Sequence, residues 1–423
     1  IGYKLFHLQF IDGDKYRKIA KEKSVKSFVV NSVRGNIFSD DGSLLATSTT
    51  KYDIFFDAKT VSNKIFDSEV KSLAANLSKL LGDDDKWFKY LKQARRENKR
   101  YLPLIKNIDR DKADLIKNFP ILKYGSIKGG LIIEEKIKRE YPLGKVAERT
   151  IGYERIDKNG KYWGVGLEHA YGSFLRGKNG KMTKRKISNG QWKILQSNLN
   201  EDPVDGLDIK TTLNTYMQDI VHDYLLEQTQ KYEANHSSAV LMDVKTGKIK
   251  AISNFGRTED GKYFEKLNYA IGESMEPGST FKLMTMVAAL EDQVIDTIQM
   301  IDTEKGEIDF YGYKVRDSKK GGYGKINAAD VFRLSSNTGI VKIITEAYKN
   351  KSEKFVDRLF NMGLNNSLDI EIKGEPMPKI PHPSEKDWNG LSLPWMSYGY
   401  GISLTPLQIL SFYNAVANDG VMV

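Results

Sequence analysis

The chain reads Glu276-Pro277-Gly278-Ser279-Thr280-Phe281-Lys282, and Phe281, Met284, Val287 and Ala288 fall at helical spacing. Proline and glycine break the chain, so the apolar stripe must open a helix directly after the break. Ser279 is thereby expected at a helix N-terminus, where free N–H groups and the helix dipole favour a developing negative charge. Lys282 lies one turn on, on the same face, within reach of the serine hydroxyl. A lysine withdrawn from water has a lowered pKa and can serve as a base. The tetrad alone is a weak signal in a chain with 65 Lys and Arg residues; Ser48-Thr49-Thr50-Lys51 and Ser68-Glu69-Val70-Lys71 share its spacing. A serine N-cap beside an exposed lysine is the plain structural alternative.

Ser335-Ser336-Asn337 is the one Ser-x-Asn in the sequence and follows Val331-Phe332-Arg333-Leu334, which reads as a helix end. A second hydroxyl can relay a proton, and an amide can orient a peptide carbonyl. An ordinary polar turn is the competing reading. Together the two motifs spell two parts of a serine acyl-transferase site that uses lysine as base. The third part is a Lys-Ser/Thr-Gly strand after the Ser-x-Asn, and none occurs before Val423. Lys245-Thr246-Gly247 precedes Ser279 and reads instead as the turn of a hairpin between Ala239-Val240-Leu241-Met242-Asp243-Val244 and Ile249-Lys250-Ala251-Ile252.

Other chemistries lack parts. There is no cysteine, hence no disulfide, thiolate metal site or cysteine nucleophile. His7, His169, His222, His236 and His382 show no metal-binding spacing. Neither a Gly-x-Ser-x-Gly elbow nor a Gly-rich phosphate loop is present, so no cofactor is expected. The net charge of +10 suits either an anionic neighbour or a Lys-rich soluble surface. The basic residues are spread along the chain without a nucleic-acid module, so no nucleic acid is expected as partner.

A length of 423 residues predicts two or three domains. Residues 1–205 read as a mixed support domain. It includes a strand at Tyr52-Asp53-Ile54-Phe55-Phe56-Asp57 and short solvated helices over 70–118. Residues 206–423 read as a second domain of class α+β with a central antiparallel sheet flanked by helices. There, Leu213, Met217, Ile220, Val221 and Tyr224 predict one apolar helix face. Pro376, Pro378, Pro381, Pro383 and Pro394 mark a proline-rich loop.

With its blocks in this order, the chain resembles the class B penicillin-binding proteins, D,D-transpeptidases that cross-link peptidoglycan. Arg34-Gly35-Asn36-Ile37 with Gly42 resembles the family's N-terminal signature, although Ser39-Asp40-Asp41 replaces its Asp-Arg-Asn. Gly166-Leu167-Glu168, Tyr171, Leu175-Arg176-Gly177 and Gly180 resemble the Gly-Leu-Glu block of the pedestal domain. Tyr398-Gly399-Tyr400-Gly401, Leu404-Thr405-Pro406-Leu407-Gln408 and Ala415-Val416-Ala417-Asn418-Asp419-Gly420 look like the run before the Lys-Ser/Thr-Gly strand. The ending resembles the division-specific type more than the elongation type.

The resemblance implies that Ser279 attacks the D-Ala–D-Ala carbonyl of a peptidoglycan stem peptide, with Lys282 as base. Ser335 would relay the proton and Asn337 would hold the substrate amide. β-Lactam antibiotics would acylate Ser279. A membrane glycosyltransferase and divisome proteins are the implied partners. The implied location is the inner membrane, with one anchor upstream of residue 1, residues 1–11 leading out of it and the catalytic domain in the periplasm. A non-catalytic scaffold or β-lactam-sensing module remains an alternative, as does a serine β-lactamase.

Overall fold

In the computed structural model, residues 6–12, 14–15, 18, 24–82, 86–186, 192–196, 198 and 200–423 are described. The expected exit segment 1–11 lies partly outside them; its described part holds a short helical turn, His7–Ile11. Contacts divide the chain into two compact units that are not contiguous in sequence. The first comprises Ile1–Asn36, Ala46–Pro142 and Arg176–Leu207, the second Ile37–Leu45, Leu143–Leu175 and Asp208–Val423.

The long strand Leu44–Phe56, which belongs to the first unit from Ala46 onward, pairs antiparallel with Leu102–Ile108 and Leu131–Glu140. The helices Asn63–Leu81 and Lys86–Arg96 cover this sheet. They are not the solvated helices the lysine-rich sequence suggests. Phe66, Val70, Leu73, Ala74, Leu77, Leu91 and Ala94 are buried and join Ile54, Phe56 and Leu102 in one core. Lysines on the outer faces mask this stripe in the sequence, because a helix needs only one apolar face to pack. A second sheet pairs Val25–Val30 with Gly180–Lys186 and, beyond it, Trp192–Ile194.

The second unit holds the expected hairpin. Strand His236–Met242 pairs antiparallel with Ile249–Arg257, which pairs in turn with Tyr263–Phe264. Among the described residues His236–Met242 and Tyr263–Phe264 are the two edges of this three-stranded sheet. Asp243 organises the connecting turn, its Oδ1 accepting from Thr246 N (2.9 Å) and Thr246 Oγ1 (2.6 Å). Gly247 takes φ +65°, which glycine adopts without a Cβ clash.

Helix Thr215–Lys231 packs on this sheet, but not by the apolar line the periodicity picks out. Met217, Ile220 and Tyr224 are exposed, whereas Gln218 and Thr229 are buried. Gln218 donates to Ile252 O (3.0 Å) and accepts from Ile252 N (2.9 Å). An amide that satisfies a strand's donor and acceptor can occupy a core position that hydropathy assigns to an aliphatic side chain. A second core gathers Phe281, Met284, Ala288, Val331, Ile340, Ile344, Phe355, Leu359, Met396 and Ile402. It joins helices Lys282–Glu291, Ala328–Arg333, Asn337–Ala347, Ser352–Asn361 and Ser392–Ser397. Pro394 lies within the last of these helices, while Pro376, Pro378, Pro381 and Pro383 lie in irregular backbone.

Candidate active site

Gly278–Phe281 forms a 3-10 turn that runs directly into the α-helix Lys282–Glu291. Pro277 and Gly278, at φ +55°, supply the break. Ser279 is exposed in this turn, and Phe281 beside it is fully buried, so the turn is anchored on one side and open on the other. The Tyr398-Gly399-Tyr400-Gly401 segment lies against its backbone. Gly278 N donates to Gly399 O (3.0 Å), and Gly401 N donates to Glu276 Oε1 (2.8 Å). A Cβ at Gly399, whose φ is +92°, would stand 2.0 Å from Gly278 O. The hydroxyl of Tyr413 adds a bond to Thr280 O (2.9 Å).

Lys282 is 1% exposed. Its Nζ donates to Ser335 O (2.7 Å), Ser335 Oγ (3.0 Å) and Asn337 Oδ1 (2.5 Å). The structure thus brings Lys282, Ser335 and Asn337 into one cluster, one helical turn from Ser279; none of the three bonds goes to Ser279. Burial pulls the Lys282 amine down to about 8, against the opposing pull of the Asp317 carboxylate. In a buried site the charged form loses hydration, so the neutral amine becomes accessible near physiological pH.

The Ser335-Ser336-Asn337 turn joins two helices, Ala328–Arg333 and Asn337–Ala347. Ser335 has φ +53°, a left-handed conformation that costs a non-glycine residue on the order of 1 kcal/mol. Ser336 caps the second helix, its Oγ accepting from Gly339 N (3.0 Å). Asn337 Nδ2 donates to Arg316 O (2.8 Å), which leaves Oδ1 to face Lys282.

Sequence reasoning passed over Asp317. This buried carboxylate accepts from Ser336 Oγ (3.1 Å to each oxygen), Thr338 N (2.9 Å) and Thr338 Oγ1 (2.8 Å). Partners 19 and 21 residues away leave no local signal. The Lys245-Thr246-Gly247 copy takes no part; it is the hairpin turn, with Lys245 3.5 Å from Asp419 at the surface.

Residues 237–423 match the penicillin binding protein transpeptidase domain, and residues 29–211 match the penicillin-binding protein dimerisation domain. Stage V sporulation protein D of Bacillus subtilis is 27% identical over 433 residues, covering 100% of this chain and 63% of that protein. Peptidoglycan D,D-transpeptidase FtsI of Escherichia coli is 26% identical over 422 residues, with 98% and 67% covered. The crystal structure of Penicillin Binding Protein 2X from Streptococcus thermophilus superposes with a TM-score of 0.72 at 23% identity, covering 94% of this chain and 60% of that one. The chain therefore spans about two thirds of the length of these relatives. With both domain families matched in order, and with relatives and fold agreeing, the chain belongs to the class B penicillin-binding proteins.

Proposed function

We propose that the chain carries the acyl-transfer centre of a peptidoglycan D,D-transpeptidase. Ser279 Oγ attacks the penultimate D-Ala carbonyl of a stem peptide. The bond from Oγ to that carbon forms, and the C–N bond to the terminal D-Ala breaks. The hydroxyl proton passes to the neutral Lys282 amine and, by way of Ser335 Oγ, to the departing nitrogen. An amine from a neighbouring stem then attacks the ester, forms the cross-link and releases Ser279. Asn337 holds the substrate amide. The Ser279 N–H stabilises the oxyanion, the term such sites depend on most.

The observation that carries this reading is the buried Lys282, lowered to about 8 and bonded to Ser335 and Asn337 one turn from an exposed serine. As an ammonium it spends all three donors on that turn. Loss of one proton leaves a lone pair for the serine hydroxyl. At pH 7 roughly one molecule in ten then holds the amine neutral.

The same proposal covers the setting. β-Lactams acylate Ser279 as substrate mimics. The protein works in septal cell-wall synthesis beside a membrane glycosyltransferase and division proteins. It is held at the inner membrane by a segment preceding residue 1, with its catalytic domain periplasmic. No helix among the described residues is long and apolar enough to cross a membrane. The likeness to FtsI supports the division role. A penicillin-binding protein of Helicobacter pylori bound to MreC, similar in fold with a TM-score of 0.66, illustrates partner binding in such proteins.

Intact-mass spectrometry after incubation with benzylpenicillin tests the proposal. The expected result is one stable drug adduct, absent from Ser279→Ala. Folded protein without an adduct would overturn it and favour a scaffold; rapid hydrolysis of the drug would favour a β-lactamase.

A further inference from the structure

The Ser335-Ser336-Asn337 turn must be held firmly, because Ser335 stays in a left-handed conformation that an unconstrained serine would leave. What holds it comes from outside the turn. Asp317 directly follows strand Tyr313–Arg316 and is 9% exposed. Its Oδ1 accepts from Thr338 N (2.9 Å), its Oδ2 from Thr338 Oγ1 (2.8 Å), and both oxygens lie 3.1 Å from Ser336 Oγ. One carboxylate therefore grips the residues on either side of Asn337. The preceding carbonyl, Arg316 O, takes the Asn337 Nδ2 proton (2.8 Å) and so fixes which way that amide faces. Asp317 N is itself tied to Gly306 O (2.9 Å).

We infer that Asp317 is a positioning residue for acyl transfer, clamping Ser336 and Thr338 so that Ser335 and Asn337 present their oxygens to Lys282. The inference rests on the transpeptidase reading of Ser279 and adds a residue to it. Asp317 also acts on Lys282 through its charge. It is the one charged group that acts on that amine among the described residues, and it opposes the effect of burial.

The experiment uses Asp317→Asn, which keeps the shape but removes the charge and one acceptor. Two quantities are read against pH in the wild type, Asp317→Asn and Ser279→Ala. One is the second-order rate of acylation by benzylpenicillin. The other is the labelling of Lys282 by acetic anhydride, followed by peptide mass spectrometry. In Asp317→Asn the Lys282 titration midpoint is expected to move below the wild-type value, and acylation to slow about 10- to 100-fold, as misplacement of reacting groups does. Wild-type midpoint and wild-type rate together would overturn the inference.

Thr338→Val is the second variant, covering the case in which Asp317→Asn does not fold. It removes one bond to the clamp and keeps the charge. Slower acylation with an unchanged Lys282 midpoint is expected; an unchanged rate would overturn the clamp. If the wild type itself forms no Ser279 adduct, the transpeptidase reading fails. The labelling comparison then still decides whether Asp317 governs Lys282, and an unmoved midpoint would reject the inference on its own.

Discussion

Two turns of the second unit are each organised by an aspartate. In the hairpin turn, Asp243 accepts from the amide and hydroxyl of Thr246, three residues ahead, at the protein surface. In the Ser335-Ser336-Asn337 turn, Asp317 accepts from the amide and hydroxyl of Thr338, and from Ser336 as well, but it is buried and reaches them from just beyond strand Tyr313–Arg316. The donor types are nearly the same. The local, wet version shapes a connection that water could also satisfy. The buried, distant version flanks a strained serine, and its loss would leave the Thr338 N–H without its acceptor and the Ser336 and Thr338 hydroxyls, 3.3 Å apart, with only each other. The proposed chemistry lies at the second turn, although the first one carries the familiar letters Lys-Thr-Gly.

The strongest way to break this contrast is Asp317→Ala. It removes the acceptor of the Thr338 N–H and leaves the Ser336 and Thr338 hydroxyls only each other, so a loss on the order of 3 kcal/mol is expected in urea unfolding. Next in size is the pH dependence of the site. A lysine at about 8 when folded and 10.5 when unfolded binds fewer protons folded than unfolded across that window. Its burial cost is full below pH 8 and is relieved as pH rises to 10.5. Stability should therefore rise across this window in the wild type and less so in Lys282→Met. Acylation by penicillin should rise about tenfold per pH unit up to a plateau above 8. Thr338→Val, which removes one neutral donor from the clamp, should lower stability by about 1 kcal/mol. The smallest effect belongs to the other turn: Asp243→Ala should leave the unfolding midpoint and the acylation rate unchanged. A large effect there would erase the distinction.

The same contrast explains what the sequence could reveal. The Ser279 turn was legible because a break, an apolar stripe and a Ser-x-x-Lys spacing are all local. So was the hairpin at Lys245-Thr246-Gly247, whose bonds span three residues. Asp317 was not, since its partners are 19 and 21 residues away. Helix Thr215–Lys231 was foreseen, but its packed line was not, because Gln218 buries an amide through backbone bonds that periodicity does not register. The core of the first unit was hidden by lysines on the outer faces of Asn63–Leu81 and Lys86–Arg96. The grouping of 37–45 and 143–175 with the second unit depends on contacts far apart in sequence.

Gly399 rests its α-carbon side against the carbonyl of Gly278, with no space for even one more carbon. For a target under selection by an inhibitor, this contact closes a route of escape. Under the proposed acylation of Ser279, enlarging position 399 would displace the turn that carries this serine and injure the cell's own reaction along with the drug's. Variants that discriminate between the two would have to arise at side chains with room to change, such as Tyr400, which retains 41% of its exposure.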